Sequence, residues 1–183
     1  MAASTTAIDR ERAEALLREL DGLDFAAPGR VHLLVETPQP HRHVARDEVR
    51  AIPGRGFAGD HARKSFYKGR FVPGREVSAM AVEVLRALGV DPVVTGDNLI
   101  TEGIDLKALE PGDRLQVGEE VVLERSNRPH RPCVAFRERT SPEAFAAVSR
   151  GDYRGALFVV RRPGTIRKGD AIRRLEGPRR PAV

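Results

Sequence analysis

Pro111-Gly112-Asp113-Arg114-Leu115-Gln116-Val117-Gly118-Glu119-Glu120-Val121-Val122-Leu123-Glu124-Arg125 decides the fold class. The proline-glycine pair marks a turn, and Leu115 and Val117 then alternate with polar neighbours over 114–117. Gly118-Glu119 supplies a tight turn into a second short strand over 121–125. Pro163-Gly164, Ile166 and Gly169-Asp170 follow a similar order near the end of the chain. The two runs differ by one residue in length, so they share turn chemistry and do not form a domain repeat. Outward from them, 30–36 alternates Val31, Leu33 and Val35 with His32, Leu34 and Glu36, with 44–52 as its expected partner. Further strands are expected over 156–161 and 171–175.

Three helices are expected between these strands. Residues 7–21 carry a Leu16, Leu17, Leu20 stripe with Asp9 and Glu11 in the first turn and Gly22 as the stop. Residues 78–88 place Ser78 as a cap, Ala81, Val84, Leu85 and Leu88 at helical spacing, and Gly89 as the stop. In 141–150, Ser141 caps, Pro142 takes the first position and Gly151 ends the helix. Many short strands with Gly/Pro punctuation predict a mainly β fold, a barrel of mostly antiparallel strands with a few short helices. The expected organisation is an N-terminal helix and linker over 1–29, a barrel domain over 30–176 and a flexible tail over 177–183.

The 183 residues suit one domain with a full core. No apolar run is long enough to span a membrane, and the N-terminus has no signal-peptide pattern. A single cysteine with no export signal predicts a cytoplasmic protein. The net charge of +5 is unevenly spread: 125–183 holds 15 Arg/Lys against 5 Asp/Glu, and 1–124 holds 16 against 21. Nearly all of the positive charge is Arg, which suits forked binding of phosphate and carboxylate.

Cys133 lies in the run Ser126-Asn127-Arg128-Pro129-His130-Arg131-Pro132-Cys133. It has no internal disulfide partner, so it is an inert buried thiol or a reactive one. Arg128, Arg131 and His130 bring cation-capable groups near it, and positive charge favours the thiolate. Pro129 and Pro132 break a strand and predict a fixed loop.

Four ordered stretches carry a family resemblance: Gly59-Asp60-His61-Ala62-Arg63-Lys64; Gly74-Arg75-Glu76-Val77-Ser78; Gly96-Asp97-Asn98-Leu99-Ile100 through Leu106; and Arg131-Pro132-Cys133, followed by the run 162–170. Over about residues 30–175 the chain resembles the MOSC domain, the β-barrel module named for the C-terminal region of molybdenum cofactor sulfurases. The resemblance implies sulfur or molybdenum chemistry at Cys133. Asp97 stands where the family pattern usually has Glu, one methylene longer. Neither a C-terminal electron-transfer module nor a pyridoxal phosphate domain is expected in this chain.

The implied ligand is molybdenum cofactor (molybdopterin), an anionic pterin with a dithiolene and a phosphate. Cys133 is then the catalytic thiol and the soft ligand for molybdenum. Arg128 and Arg131, with Arg63 and Lys64, are candidate cations for the phosphate. Asn98, Ser126 and Asn127 are candidates for the pterin edge. The same cysteine could carry sulfur as a persulfide, with a protein sulfur donor or acceptor as partner. A third reading is a reductase of N-hydroxylated compounds fed by an external electron donor. Asp60 and His61 form a weak acid–base candidate, and His41-x-His43 matches no standard zinc pattern. A nucleic-acid-binding module would use the basic C-terminal third, but the few aromatics argue against a stacking platform.

Overall fold

Residues 114–125 fold as a hairpin in which Val117 faces Val121 and Leu115 faces Leu123. Gly118 turns it with φ 64°, and a Cβ there would lie 2.6 Å from Asp170 Oδ2, which favours glycine at this turn. The computed structural model describes residues 8–67 and 69–176; the expected tail over 177–183 lies outside them. In chain order the elements are α1 (Arg10–Asp21), β1 (Arg30–Gln39), β2 (Arg42–Arg46), β3 (Glu48–Ile52), β4 (Gly56–Phe57), β5 (Phe66–Tyr67), β6 (Arg70–Phe71), β7 (Val77–Ala81), α2 (Val82–Leu88), a 3-10 turn (Pro92–Thr95), β8 (Leu99–Glu102), β9 (Arg114–Val117), β10 (Val121–Arg125), α3 (Val134–Arg139), α4 (Pro142–Gly151), β11 (Ala156–Arg162), β12 (Gly164–Arg167) and β13 (Ile172–Leu175).

Eight strands form one sheet in the order β13-β9-β10-β11-β7-β8-β1-β2. Every pairing in it is antiparallel except β7 with β8, which α2 connects as a crossover. The mainly β class holds, but the expected barrel is not closed. The sheet curls until the start of β1 meets the approach to β13 at one bridge, Arg30 to Ala171. Backbone bonds from Val31 N to Asp170 O and from Ile172 N to Gly29 O, both 2.8 Å, hold that seam. A register shift between Val31 and Leu33 then bends β1, which stays paired with β8 as far as Leu34 and pairs with β2 from Leu34 to Gln39.

Three local expectations change for physical reasons. The single strand over 44–52 is two, because β2 pairs with β1 while β3 joins β12 and β4 in a second sheet. β12 and β13 likewise part into different sheets. Ser78 does not cap a helix. It sits in β7 between β11 and β8, and strand pairing from distant residues overrides the local cap signal. α2 starts at Val82 with no side-chain cap.

The core lies inside the curl, with Leu34, Met80, Leu99, Ile100, Leu115, Leu123 and Phe158 fully buried. Burying such a side chain contributes roughly 1.5–3 kcal/mol. α1 joins the same core through Leu20, which is 1% exposed. Asp9 caps α1 by accepting from Arg12 N at 3.1 Å, and Asp9 N donates to Glu143 Oε1 at the head of α4. α4 starts as expected, with Ser141 Oγ accepting from Ala144 N, but its left-handed stop is Asp152 (φ 58°), one residue beyond Gly151.

Candidate functional site

Cys133 is solvent-exposed and stands at the N-cap of α3, a helix of six residues. No helix was expected there; the two prolines fix the approach, and Arg137 N donating to Cys133 O at 3.1 Å closes the first turn. The chain on each side of the thiol reaches into a buried polar network. Three residues before it, His130 Nε2 lies 3.6 Å from Asp97 Oδ1. Three residues after it, the Phe136 ring, 1% exposed, lies 4.8 Å from the Arg154 guanidinium carbon.

Asp97 and Arg154 are themselves joined, Arg154 Nη1 donating to Asp97 Oδ2 at 2.6 Å, and both are almost wholly buried. Burial alone would raise the Asp97 carboxyl. The Arg154 guanidinium, by its charge and its hydrogen bond, holds it below the usual carboxylate range. Asp97 is placed by the turn that ends the 3-10 segment, where Gly96 adopts φ 73°. A Cβ on Gly96 would lie 2.5 Å from the His43 ring. Arg154 precedes Gly155, which has φ 87° and space for no Cβ, the Ala79 carbonyl oxygen being 2.1 Å away.

His130 was expected as a cation-capable group near the thiol. Burial first, and then Arg154 with Arg75 and Arg125, push it down to about 3 against the pull of Asp97. It is therefore neutral at pH 7, and the positive charge around the loop is Arg alone.

A second layer centres on Asp60, also buried. Its Oδ1 accepts from Thr37 N at 2.7 Å and its Oδ2 from Asn98 Nδ2 at 2.8 Å. Lys64 Nζ lies 3.5 Å from Oδ2 as an ion pair without hydrogen-bond geometry. Burial lowers the Lys64 pKa, with Asp60 and Asp97 opposing. Thr37 Oγ1 meets His43 Nδ1 at 3.1 Å, and burial followed by the Arg139 and Lys64 charges lowers the His43 pKa.

The remaining candidates separate into committed and open groups. Asn98 is 1% exposed, and its amide is committed inside the protein: Nδ2 also donates to Val35 O at 3.2 Å, and Oδ1 accepts from Ser78 N at 3.3 Å. This leaves no amide edge for a pterin. Ser126 is buried and shapes the loop, its Oγ accepting from Arg128 N. Arg128 is exposed, yet its Nε donates to Pro73 O at 2.6 Å, tying the cysteine loop to the approach to β7. Asn127, Arg131 and Arg63 are exposed. His61 and Asp60 do not pair: His61 Nδ1 accepts from Arg63 N, while Asp60 faces Asn98 and Thr37. His41 is exposed and His43 turns to Thr37. Among the described residues no group of three His, Cys, Asp or Glu is arranged to hold a metal ion, and no helix is long and apolar enough to cross a membrane.

Sequence reasoning missed Arg154, Thr37 and Phe136. Arg154-Gly155 ahead of an apolar strand was a weak signal for the first, since a positive-φ glycine there forces the preceding side chain into a fixed direction. Five buried donor-capable atoms around the network have no hydrogen-bond partner: His43 Nε2, Lys64 Nζ, Arg125 Nε, His130 Nδ1 and Arg154 Nε.

A curled, mostly antiparallel sheet that presents one exposed thiol beside buried ion pairs defines a β-structured, cysteine-bearing domain. The MOSC domain profile matches residues 71–173, and the chain belongs to the MOSC domain family. That family is associated with molybdenum cofactor and with sulfur-related proteins. The fold is similar to the YUAD protein from Bacillus subtilis, at TM-score 0.64 and 21% identity over 80% of this chain and 94% of that one. It is also similar to YiiM from Escherichia coli (TM-score 0.58, 21% identity, 81% and 71% covered). YiiM from Geobacillus stearothermophilus matches at TM-score 0.58 and 16% identity, with 81% and 76% covered. At these identities the likeness concerns fold alone. No curated protein matches the chain.

Proposed function

We propose that this protein acts on molybdenum cofactor through Cys133, as the soft ligand of the bound metal or as a carrier of the sulfur delivered to it. The observation that carries the reading is the position of the thiol: exposed, yet at the midpoint of a segment anchored on both sides to a buried ion pair. An exposed cysteine sulfur held in place is available to bind a soft metal or to attack sulfur.

The donor set suits an anionic pterin. Exposed Arg131 and partly exposed Arg75 provide cations near the loop, and Lys64 Nζ, ion-paired with Asp60 but without a hydrogen bond, and Arg125 Nε each retain a free donor. Unpartnered buried polar atoms of this kind mark places where a ligand or water completes the bonding. When bound, the cofactor would supply the redox and oxygen-transfer chemistry of its metal. The chain's residues would bind its phosphate, orient its edge and hold the thiol toward it.

As a sulfur carrier, the Cys133 thiolate attacks the outer sulfur of a donor persulfide. The new S–S bond on Cys133 replaces the bond broken on the donor, whose thiolate leaves. The test is molybdenum and pterin analysis, with persulfide labelling, of wild type and Cys133→Ser from a host that makes the cofactor. Wild type is expected to hold cofactor or persulfide and the variant neither. Equal loading of both proteins refutes the reading.

A further inference from the structure

We infer that the Asp97–Arg154 ion pair is the positioning element of the cysteine loop: it grips the chain at His130 and Phe136, equidistant in sequence from Cys133, and thereby sets the thiol at the surface. The assignment rests on the proposed role of Cys133 and adds residues that act on the thiol without touching its ligand.

The two grips differ in chemistry. On the N-terminal side, a neutral imidazole faces the carboxylate at 3.6 Å, between two prolines that restrict the backbone. On the C-terminal side, a guanidinium lies over the face of a buried ring, where desolvation strengthens the cation–π attraction. The ion pair is held by further contacts. Arg154 is fixed by its 2.6 Å bond to Asp97 and a 3.6 Å contact with Met80 Sδ, and Asp97 N by Thr95 Oγ1 at 3.3 Å. Thr95 O in turn accepts from Arg139, the last residue of α3, at 3.4 Å. α3 and the loop that leads into it are thus contacted ahead of the helix at His130, in its middle at Phe136 and at its end at Arg139 by groups adjoining one ion pair. A helix of six residues has no independent stability, so these contacts must hold it.

The test reads α3 locally by amide hydrogen exchange at Arg137, whose N–H bonds Cys133 O, and at Val160 in β11 as a control for global opening. Phe136→Leu keeps an apolar core residue but removes the ring face; Arg154→Met removes the charge, and Arg154→Lys restores it. Exchange at Arg137 should rise on the order of tenfold in Phe136→Leu and Arg154→Met, with Val160 still protected. Arg154→Lys should recover much of the protection, and loading of Cys133 with sulfur or cofactor should fall in the same order. If Arg154→Met does not fold, Phe136→Leu and His130→Ala carry the comparison. Unchanged exchange at Arg137 in the folded variants overturns the inference. Changed exchange with a wild-type protein that loads nothing overturns the proposed function instead and leaves the positioning role standing.

Discussion

Replacing Asn98 separates a structural amide from a ligand-reading one. Asn98→Ala deletes a charge-assisted bond of 2.8 Å to Asp60 Oδ2, a bond of 3.2 Å to Val35 O, and an acceptor for Ser78 N at 3.3 Å. The site is buried, so water does not replace them. A bond to a charged group contributes about 1.5–3 kcal/mol and each of the two neutral ones about 1 kcal/mol, for a total of roughly 3.5–5 kcal/mol. For a chain of this size each kcal/mol lowers Tm by about 2–4 °C, so the midpoint should fall by about 10 °C. Asn98→Asp should do worse at pH 7, because it sets a second buried carboxylate against Asp60, and should recover partly in mild acid as one of the two takes a proton. Thermal melts followed by circular dichroism, beside pterin analysis of the purified proteins, provide the assay. A variant that melts within about 2 °C of wild type yet loses bound pterin would refute the reasoning, since the amide would then face the cofactor and not the fold.

Other perturbations test the surrounding frame. His130 titrates near 6.5 when unfolded and at about 3 in the fold, so between those values the unfolded chain binds a proton that the native state does not. Its contribution is complete above about pH 6.5 and is lost by up to about 1.4 kcal/mol per unit as pH falls below that; His130→Gln should flatten this part of a urea-stability profile, and an identical slope in the variant would contradict the assignment. Leu20→Ala should cost about 2–5 kcal/mol in a single cooperative urea transition, because α1 lies in the common core; an unchanged midpoint would mean that α1 is dispensable. Gly155→Ala sets a Cβ about 2.1 Å from Ala79 O at φ 87° and should lower Tm by several degrees or prevent folding, and a wild-type melt would show that the β7–β11 pairing yields easily.

Local chemistry made the β9–β10 hairpin and α4 legible, because alternation, Gly118, Ser141 and Pro142 act within a few residues. Ser78 misled for the opposite reason. Its cap signal is equally local, but β7 is fixed by β8 and β11, which lie about 20 and 80 residues further along the chain. The split of 44–52 was hidden in the same way, since β3 leaves β1 to pair with β12 near the other end of the sequence. At the site, the Cys133 run stood out through its charge and prolines. Its supports did not, because Asp97 and Arg154 meet only when the turn after the 3-10 segment and the start of β11 come together. Asn98 carried a family signature, and the signature could not distinguish an amide that reads a ligand from one that fastens β1 and β7 to Asp60.

That distinction bears on what the signature residues do together. Asp97 and Asn98 are neighbours, and their side chains serve different partners: Asp97 meets His130 and holds Arg154, which packs on Phe136, while Asn98 holds Asp60, Val35 and Ser78. One dipeptide at the entry to β8 therefore links the cysteine loop to the segment bearing Asp60 and Lys64. Asp97 reaches Arg154 at full hydrogen-bond distance but stays 3.6 Å from His130. Asp97→Glu should then tighten the His130 contact and slow exchange at Arg137, provided that the longer chain keeps its bond to Arg154. Faster exchange would show that the shorter acid is matched to this loop and that the grip depends on the ion pair more than on the imidazole.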